Sequence, residues 1–182
     1  MSEADVVRVI RVFKAKRARW ALVGAHAIGL VTEPRATADF DFVLDATKFD
    51  DVIRALTKEF GPLDARDIGA AVQLTAIDVY LIRSTEHALF EVALEQRRMV
   101  GDWRVPRTEV LIVLKFMAAL SLRRNRDKRV HDISDIIRVY RASKSKLDRD
   151  LMIELSRLVY AGAEAEFREL IGKIERDEPI AI

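Results

Sequence analysis

The stretch that most constrains the fold of this chain is residues 20–45, WALVGAHAIGLVTEPRATADFDFVLD. It begins as a short apolar strand, turns at Gly24 into a helix of small residues, and ends in a second strand with acidic residues at alternate positions. On an extended strand, Asp39 and Asp41 point to one face while Phe40 points to the other. Residues two apart on a strand lie roughly 6 to 7 Å apart, so both carboxylates can reach one cation or a pair of cations. The stretch therefore predicts that the two carboxylates have the geometry of a cation site.

The size and composition of the chain are those of a folded globular domain. Its 182 residues are enough to bury a core, and 50% of them are apolar while 33% are charged. The mean hydropathy of +0.01 is unlike that of a disordered or membrane chain. The formal net charge of +2 permits contact with nucleic acid but does not require it. Function must therefore be sought in particular sites and not in overall composition.

The cysteine content and the lengths of the apolar runs indicate the cellular location of the protein. The chain has no cysteine, which excludes disulfides and thiolate chemistry, and its first residues show no signal-peptide pattern. The most apolar run, residues 110–122, is shorter than the about 20 residues that span a bilayer, and it contains Lys115. We therefore expect a cytoplasmic protein without membrane contact.

The order of hydrophobic patterns predicts an α/β (α+β) fold, a small mixed sheet flanked by helices, with an all-α C-terminal part. Apolar residues at helical spacing predict helices at 4–18, 25–32, 48–60, 84–98 and 109–122, another from 130, and a pair within 146–176 joined near Gly162. Ser84 and Thr108 are predicted N-caps. Strands are expected at 20–23 and 38–44, at 70–82 as one strand or two with a kink, and as one or two strands at 99–105. We expect residues 1–106 to form the α/β core with its leading helix, and residues 107–182 a helical region packed on it.

A third acid lies on the predicted strand at 70–82. In AIDVYLI, Asp78 shares a face with Tyr80 and interrupts an otherwise apolar strand. Three carboxylates on neighbouring strands suit a centre of two Mg²⁺ ions, because hard cations prefer oxygen ligands and two of them clamp the attacking and leaving oxygens of a phosphoryl transfer. The alternative is that Asp39 and Asp41 mark the solvated face of an edge strand. The partner acid and the glycine turn favour the metal site.

The turn at Gly24 has the features of a phosphate-binding corner. Small residues between a strand and a helix let backbone N–H groups approach a triphosphate, although close helix packing also explains them, including Ala25. His26 can contact a nucleotide or be an ordinary hydrogen-bonded residue of the helix. Just before the acidic strand, Arg35 can bind phosphate or a carboxylate and Thr37 can orient the same site. Both are equally compatible with a surface loop after a proline.

The run VGAHAIGLVTEPRATADFDFVLD resembles the nucleotidyltransferase fold superfamily, and most closely the AbiEii-like and MNT-like nucleotidyltransferases of bacterial and archaeal toxin–antitoxin systems. Those proteins have a strand that ends in Gly-Gly or Gly-Ser, then a helix, then an Arg-x-Thr-x-Asp-x-Asp segment. The matching residues are Gly24, Arg35, Thr37, Asp39 and Asp41. Ala25 stands where a second glycine or a serine is usual, so an inactive site is expected to fail at this turn and not at the aspartates.

The resemblance extends to about residue 140, with Asp78 as the third acid and HDISDI similar to a Lys-Asp-x-x-Asp helix. It implies a Mg²⁺-dependent nucleotidyltransferase that moves a nucleoside monophosphate from an NTP to a hydroxyl of a protein or an RNA such as tRNA. A cognate toxin or antitoxin protein is the implied partner. Two Mg²⁺ ions would be held by Asp39, Asp41 and Asp78, with Asp78 also helping to deprotonate the acceptor. The implied nucleotide-binding residues are Gly24, Ala25, His26, Arg35, Thr37 and Lys115.

Two charged features further along the chain have alternatives of their own. Lys115, alone in the apolar segment VLIVLKFMAAL, either extends to solvent or enters a polar site, where it can reach nucleotide phosphates or an aspartate. Asp132 can pair with Lys115 or with Arg126. The segment RRNRDKR, residues 123–129, is either a solvated loop between helices or a contact for an RNA backbone.

Two other functions are compatible with the sequence. The first is a catalytically inactive protein on the same fold that acts as a binding scaffold or antitoxin. The second is a D-x-D glycosyltransferase that uses a metal to bind a nucleotide sugar. The chain is short for the second function and shows no further substrate domain.

Overall fold

The computed structural model of the protein describes residues 3–34, 36–122 and 124–180. The helices are, in chain order, α1 (Glu3–Ala15), α2 (Gly24–Val31), α3 (Phe49–Phe60), α4 (Ala88–Glu95), α5 (Thr108–Leu120), α6 (Arg126–Ser143), α7 (Arg149–Ser156) and α8 (Ala163–Arg176). The strands are β1 (Trp20–Val23), β2 (Phe40–Leu44), β3 (Ala65–Asp67), β4 (Ala71–Leu74), β5 (Val79–Arg83), β6 (Arg97–Val100) and β7 (Trp103–Pro106). This mixed α/β fold with helices at the C-terminal end confirms the predicted fold class.

Five of the strands form one mixed sheet in the order β1-β2-β5-β4-β3. Strands β2 and β5 are parallel, starting with the pair Phe40 and Val79, while the other neighbours are antiparallel. Strands β6 and β7 form a separate antiparallel hairpin. Because β2 and β5 are parallel neighbours, their first residues lie at the same end of the sheet, and the last residue of β1 lies at that end too. Residues at these three strand ends can therefore meet.

One face of the sheet is closed by an aromatic core. Trp20 of β1 and Phe42 of β2 share this face, and Phe13 of α1 packs against them with ring centroids 5.8 and 5.2 Å away. All three side chains are fully buried. The buried stripe of α3, which includes Val52 and Leu56, joins the same core. The apolar stripes predicted for α1 and α3 thus anchor the sheet from one side.

The C-terminal helices pack around α5. Residues 110–113 of this helix are at most 1% exposed, which confirms the prediction of a buried helix. Its Phe116 meets Phe167 of α8 edge to face, with ring centroids 5.1 Å apart. Within the described ranges, no helix combines the length and the apolar character needed to cross a membrane.

The region 70–82 forms two strands and not one. Strands β4 and β5 are antiparallel neighbours joined by a 3₁₀ turn, Thr75–Ile77. Asp78 ends this turn in a left-handed conformation, with φ +48° and ψ +43°. The prediction that Asp78 lies on the strand is therefore wrong, because this left-handed residue ends the turn and β5 begins at Val79. Strand β3 is short and fully exposed, so no hydrophobic pattern indicates it.

The cap of α4 differs from the predicted one. Ser84 lies in a 3₁₀ turn, where its hydroxyl accepts a hydrogen bond from Ala46 N at 3.3 Å. His87 is the N-cap instead, since its Nδ1 accepts a hydrogen bond from Leu89 N at 3.1 Å. The N-cap consequently lies three residues later in the chain than the sequence pattern predicts.

Two further helix starts are corrected by the structure. Thr108 is the first residue of α5 and not its cap, and its hydroxyl accepts a hydrogen bond from Arg98 at 3.2 Å. The cap of α6 is Asn125, whose side chain accepts a hydrogen bond from Lys128 N at 2.9 Å. The prediction of a loop at residues 123–129 is therefore wrong in its second half, which is the first turn of α6.

Candidate functional site

The predicted acidic residues lie at one edge of the sheet. Asp39 is exposed and immediately precedes β2. Asp41 lies within β2 and is half-buried as a whole residue, while its carboxyl group is buried against the turn at Gly24. Asp78 immediately precedes β5, and its backbone O accepts a hydrogen bond from Phe40 N at 2.9 Å. Gly24 follows β1, whose last residue pairs with Asp41. We call this end of β1, β2 and β5, with Gly24, Asp39, Asp41 and Asp78, the carboxylate edge.

Gly24 lies directly against the carboxylate of Asp41. Its φ of +69° is in the left-handed region that favours glycine. A Cβ built at this position would lie 2.8 Å from Cγ of Asp41 and would overlap Oδ2. Helix α2 starts at this residue, so the N–H groups of its first turn lie beside the carboxylate edge. The turn therefore requires glycine for two independent reasons.

The variant Gly24→Ala is expected to lower the free energy of unfolding by about 2 to 3 kcal/mol, because the left-handed backbone is strained and Asp41 must move. Chemical denaturation measures this loss. The matched control is Gly101→Ala, since Gly101 has φ +57° but nothing within 4 Å of a Cβ built there. The control should lose about 1 kcal/mol. Equal losses in the two variants would show that the contact with Asp41 contributes nothing to stability.

Asp41 is surrounded by charges of both signs. Burial raises the pKa of this carboxyl from 3.8 to about 6. The positive charges of Lys115 and Arg124 oppose the shift, while the negative charges of Asp39 and Asp132 add to it. These four side chains therefore lie within electrostatic reach of Asp41. The ionised carboxylate is short of compensating positive charge at neutral pH, which is typical of a functional carboxylate.

Lys115 is held in buried ion pairs and does not extend to solvent. Its Nζ lies 2.9 Å from Oδ1 of Asp132 and 2.8 Å from Oδ2 of Asp135, and the three side chains are 11%, 2% and 3% exposed. Nη1 of Arg124 lies 3.2 Å from the other oxygen of Asp132. The predicted pair of Lys115 with Asp132 is confirmed, and the second partner is Arg124 and not Arg126. We call Lys115, Asp132, Asp135 and Arg124 the α5–α6 ion cluster.

A further arginine ties this cluster to α2. Nη2 of Arg138 lies 3.8 Å from Oδ1 of Asp135 and donates a hydrogen bond to Oγ1 of Thr32 at 3.3 Å. The Thr32 hydroxyl donates in turn to Ile28 O at 2.8 Å, at the end of α2. Helix α6 is thus hydrogen-bonded through Arg138 to the C-terminal end of α2, just before the segment that leads to Asp39.

The remaining predicted nucleotide-binding residues occupy varied environments. Ala25 is buried in the first turn of α2. The ring of His26 stacks on Phe40, with centroids 3.6 Å apart, so it is part of the packing around β2. Thr37 is half-buried in the loop before β2, and Arg35 lies outside the described residues. Contact of these residues with a nucleotide stays a prediction.

Tyr80 is a residue beside Asp41 that has no sequence signal of its own. It is the register partner of Asp41 on β5, and such partners have side chains on the same face. Burial raises the pKa of Tyr80, and the charges of Asp39, Asp41 and Asp78 raise it further, so its hydroxyl stays protonated. A tyrosine in an apolar strand has the pattern of a core residue. The pairing of β2 with β5 is what places it at the carboxylate edge.

The carboxylate edge has the donor chemistry of a divalent cation site. Carboxylate oxygens are the ligands that Mg²⁺ prefers, and the buried Asp41 is short of positive charge. Across residues 3–34, 36–122 and 124–180, no three His, Cys, Asp or Glu side chains are grouped closely enough to hold a metal ion. The edge therefore has oxygen ligands of the kind that Mg²⁺ prefers, but its described residues do not gather three of them around one point. Mg²⁺ binding by Asp39, Asp41 and Asp78 stays a prediction.

Comparison with known proteins finds solved structures with a similar fold. No protein-family model and no curated protein matches the chain significantly. Among solved structures, an antigenic nucleotidyltransferase-like protein from Paracoccidioides brasiliensis matches with a TM-score of 0.61 and 16% identity, over 97% of this chain and 93% of that one.

Two structures of the antibiotic-resistance factor ANT(2'')-Ia match as well. The solution structure has a TM-score of 0.54 and 13% identity, over 94% of this chain and 94% of that one. The crystal structure with adenylyl-2''-tobramycin has a TM-score of 0.56 and 14% identity, over 91% of this chain and 96% of that one. At these identities the likeness shows the fold alone. The chain has a nucleotidyltransferase-like fold over nearly its whole length.

Proposed function

We propose that the protein is a nucleotidyltransferase that uses Mg²⁺ to move a nucleoside monophosphate from an NTP to a hydroxyl of a protein or an RNA. The observation that carries this proposal is the contact of the Asp41 carboxylate with the Gly24 turn, at an edge shared with Asp39 and Asp78. Because Gly24 has no Cβ, the carboxylate of Asp41 can lie directly against the turn. The nucleotidyltransferase-like fold supports the same function.

Positive charge near Asp41 suits the triphosphate of the NTP. The first turn of α2 presents backbone N–H groups and the positive end of a helix dipole at Gly24. Lys115 and Arg124 lie within electrostatic reach of Asp41, and the negative charge of Asp132 offsets part of their positive charge there. Asp39 and Asp41, with Asp78, would hold Mg²⁺, which when bound withdraws negative charge from the phosphate oxygens.

In the proposed transfer, the oxygen of the acceptor hydroxyl attacks the α-phosphorus of the NTP. A bond forms between that oxygen and the phosphorus, the bond to the oxygen that bridges to the β-phosphate breaks, and pyrophosphate leaves with the electron pair. The Asp78 carboxylate takes the proton of the hydroxyl. The hydrogen bond from Phe40 N to the backbone O of Asp78 holds this residue at the start of β2, next to the segment that carries Asp39 and Asp41.

The function is tested by incubating the purified protein with each α-³²P-labelled NTP, Mg²⁺ and cell extract. We expect a labelled acceptor, and digestion with ribonuclease or protease then distinguishes RNA from protein. The double variant Asp39→Ala, Asp41→Ala is expected to transfer no label. Label that persists in this variant would exclude the mechanism, and a wild-type protein that labels nothing would exclude the activity.

The rival function, an inactive scaffold or antitoxin, makes a different prediction. Calorimetry would then detect no binding of NTP or Mg²⁺, while a helical protein encoded by the adjacent gene would form a stable complex with this chain. A role in a toxin–antitoxin system rests on the resemblance of residues 20–45 to AbiEii-like and MNT-like proteins. The identity of the neighbouring gene tests that role, and a cytoplasmic location is part of the same proposal.

A further inference from the structure

A row of polar residues crosses the sheet from the carboxylate edge. Asp41 of β2 pairs with Tyr80 of β5, Tyr80 pairs with Gln73 of β4, and Gln73 pairs with Arg66 of β3. Residues directly opposite each other on neighbouring strands have side chains on the same face of a sheet. Tyr80, Gln73 and Arg66, which we call the polar row, therefore continue the face on which Asp41 lies.

The polar row lies on the more open face of the sheet. Tyr80 and Gln73 are half-buried and Arg66 is exposed. Their neighbours along the strands, on the opposite face, belong to the core and are at most 5% exposed: Val72, Leu74, Val79 and Leu81. One face of the sheet is therefore apolar and buried. The opposite face of β5, β4 and β3 carries an accessible strip of polar side chains.

The polar row starts on the side of Asp41 that faces away from the Gly24 turn. Val23, the residue before Gly24, flanks Asp41 on β1, and Tyr80 flanks it on β5. Neighbouring strands lie about 4.8 Å apart, so these two sides are separated by roughly 10 Å. In a phosphoryl transfer the attacking and leaving oxygens lie roughly in line on opposite sides of the phosphorus. With the triphosphate at the Gly24 turn, the acceptor has to approach from the Tyr80 side.

We propose that the polar row binds the acceptor of the transfer reaction, an inference that rests on the proposed function. The Tyr80 hydroxyl donates a hydrogen bond to the acceptor molecule, next to the hydroxyl of that molecule that reacts. One strand further on, the Gln73 side-chain amide can both donate and accept a hydrogen bond. The Arg66 guanidinium binds an anionic group about three strand spacings, roughly 14 Å, from Asp41. The acceptor is therefore a polar molecule that carries a hydroxyl and an anionic group at about this separation.

The test measures acceptor and NTP binding separately in Tyr80→Phe, Gln73→Ala and Arg66→Ala. Transfer of α-³²P label is followed over a dilution series of cell extract, which gives the extract concentration at half-maximal rate. Calorimetry with the NTP and Mg²⁺ gives the NTP dissociation constant. The matched controls are Tyr160→Phe, on an exposed tyrosine after α7, and Arg11→Ala, on the exposed side of α1 across the sheet.

We expect each polar-row variant to raise the half-maximal extract concentration at least fivefold while the NTP dissociation constant stays within twofold of wild type. Both controls should behave as wild type. Half-maximal concentrations equal to wild type in all three variants would overturn the inference, and so would a parallel loss of NTP affinity. Neither of these two results would contradict the proposed function, because the wild-type protein still transfers label in both cases. A wild-type protein that transfers no label would overturn the proposed function and this inference together.

Discussion

In the variant Asp41→Asn, label transfer is expected to fall about 1,000-fold while the folded protein becomes more stable at neutral pH. The loss follows because the neutral amide cannot hold Mg²⁺ as a carboxylate does, and several kcal/mol of charge stabilisation are lost with it. The gain follows because the ionised Asp41 carboxylate is buried with too little compensating charge. Initial rates of labelling and denaturant titrations at pH 7 measure the two effects on the same preparation.

The gain in stability should depend on pH in a defined direction. The pKa of Asp41 is about 6 in the folded protein against an ordinary value of 3.8. The folded state therefore binds this proton more tightly, and the wild-type protein loses the corresponding stability as the pH rises from about 4 to about 6. Asp41→Asn removes that loss, so its free energy of unfolding should exceed the wild-type value by about 3 kcal/mol at pH 7 and approach it near pH 3.

Asp45, just beyond the end of β2, provides a control of opposite sign. Burial alone would raise the pKa of this carboxyl, but hydrogen bonds from Thr47 and Arg19 lower it below its ordinary value. Asp45→Asn should therefore reduce stability at neutral pH and leave label transfer at the wild-type rate. A loss of stability at pH 7 in Asp41→Asn as well would show that the Asp41 carboxylate is adequately compensated in the native protein.

Lys115→Met is expected to lower the free energy of unfolding by about 4 kcal/mol. The substitution keeps much of the apolar volume but leaves Asp132 and Asp135 facing each other, and their side chains are 2% and 3% exposed. Removing one member of a buried ion pair typically costs about 3 to 5 kcal/mol, because the remaining charge is desolvated and unpaired. Denaturant titration at pH 7 measures the loss, and label transfer should also decrease, since Asp41 loses a positive neighbour.

The triple variant Lys115→Met, Asp132→Asn, Asp135→Asn separates charge from packing. It removes the two uncompensated carboxylates, so most of the lost stability should return even though label transfer does not. A triple variant as unstable as Lys115→Met would show that the lysine acts through its packing. A single variant within about 1 kcal/mol of wild type would show that Arg124 and Arg138 already compensate both aspartates.

Elements with a strong periodic pattern could be predicted from the sequence. The apolar stripes of α1 and α3 and the short run of β1 give elements close to the observed ones, since burial on one side imposes the pattern. The segment 70–82 predicts one strand or two with a kink, but its mostly apolar residues do not show that the break lies at Asp78. Strand β3 has the pattern of a polar loop and exists through its pairing with β4.

Some residues of the candidate site could be predicted from local sequence patterns and others could not. Gly24, Asp39 and Asp41 lie close together in the sequence, and a turn followed by an alternating acidic strand is visible there. The position of Asp135 beside Lys115 depends on how α5 packs on α6, and no local pattern encodes it. Tyr80 reaches Asp41 through the parallel pairing of two strands that are distant along the chain. The contacts of Tyr80 and Asp135 therefore could not be predicted from local patterns.

The parallel pairing of β2 with β5 also has a consequence for the order of folding. Two segments separated by α3 and the β3–β4 hairpin must find each other before Asp78 and Tyr80 come to lie beside Asp41. Such non-local contacts form slowly, because the entropy of closing the intervening loop is lost before the contacts compensate for it. The α1 and β1 segments and the β4–β5 hairpin can form from local contacts, and the acidic centre is completed when the two parts dock.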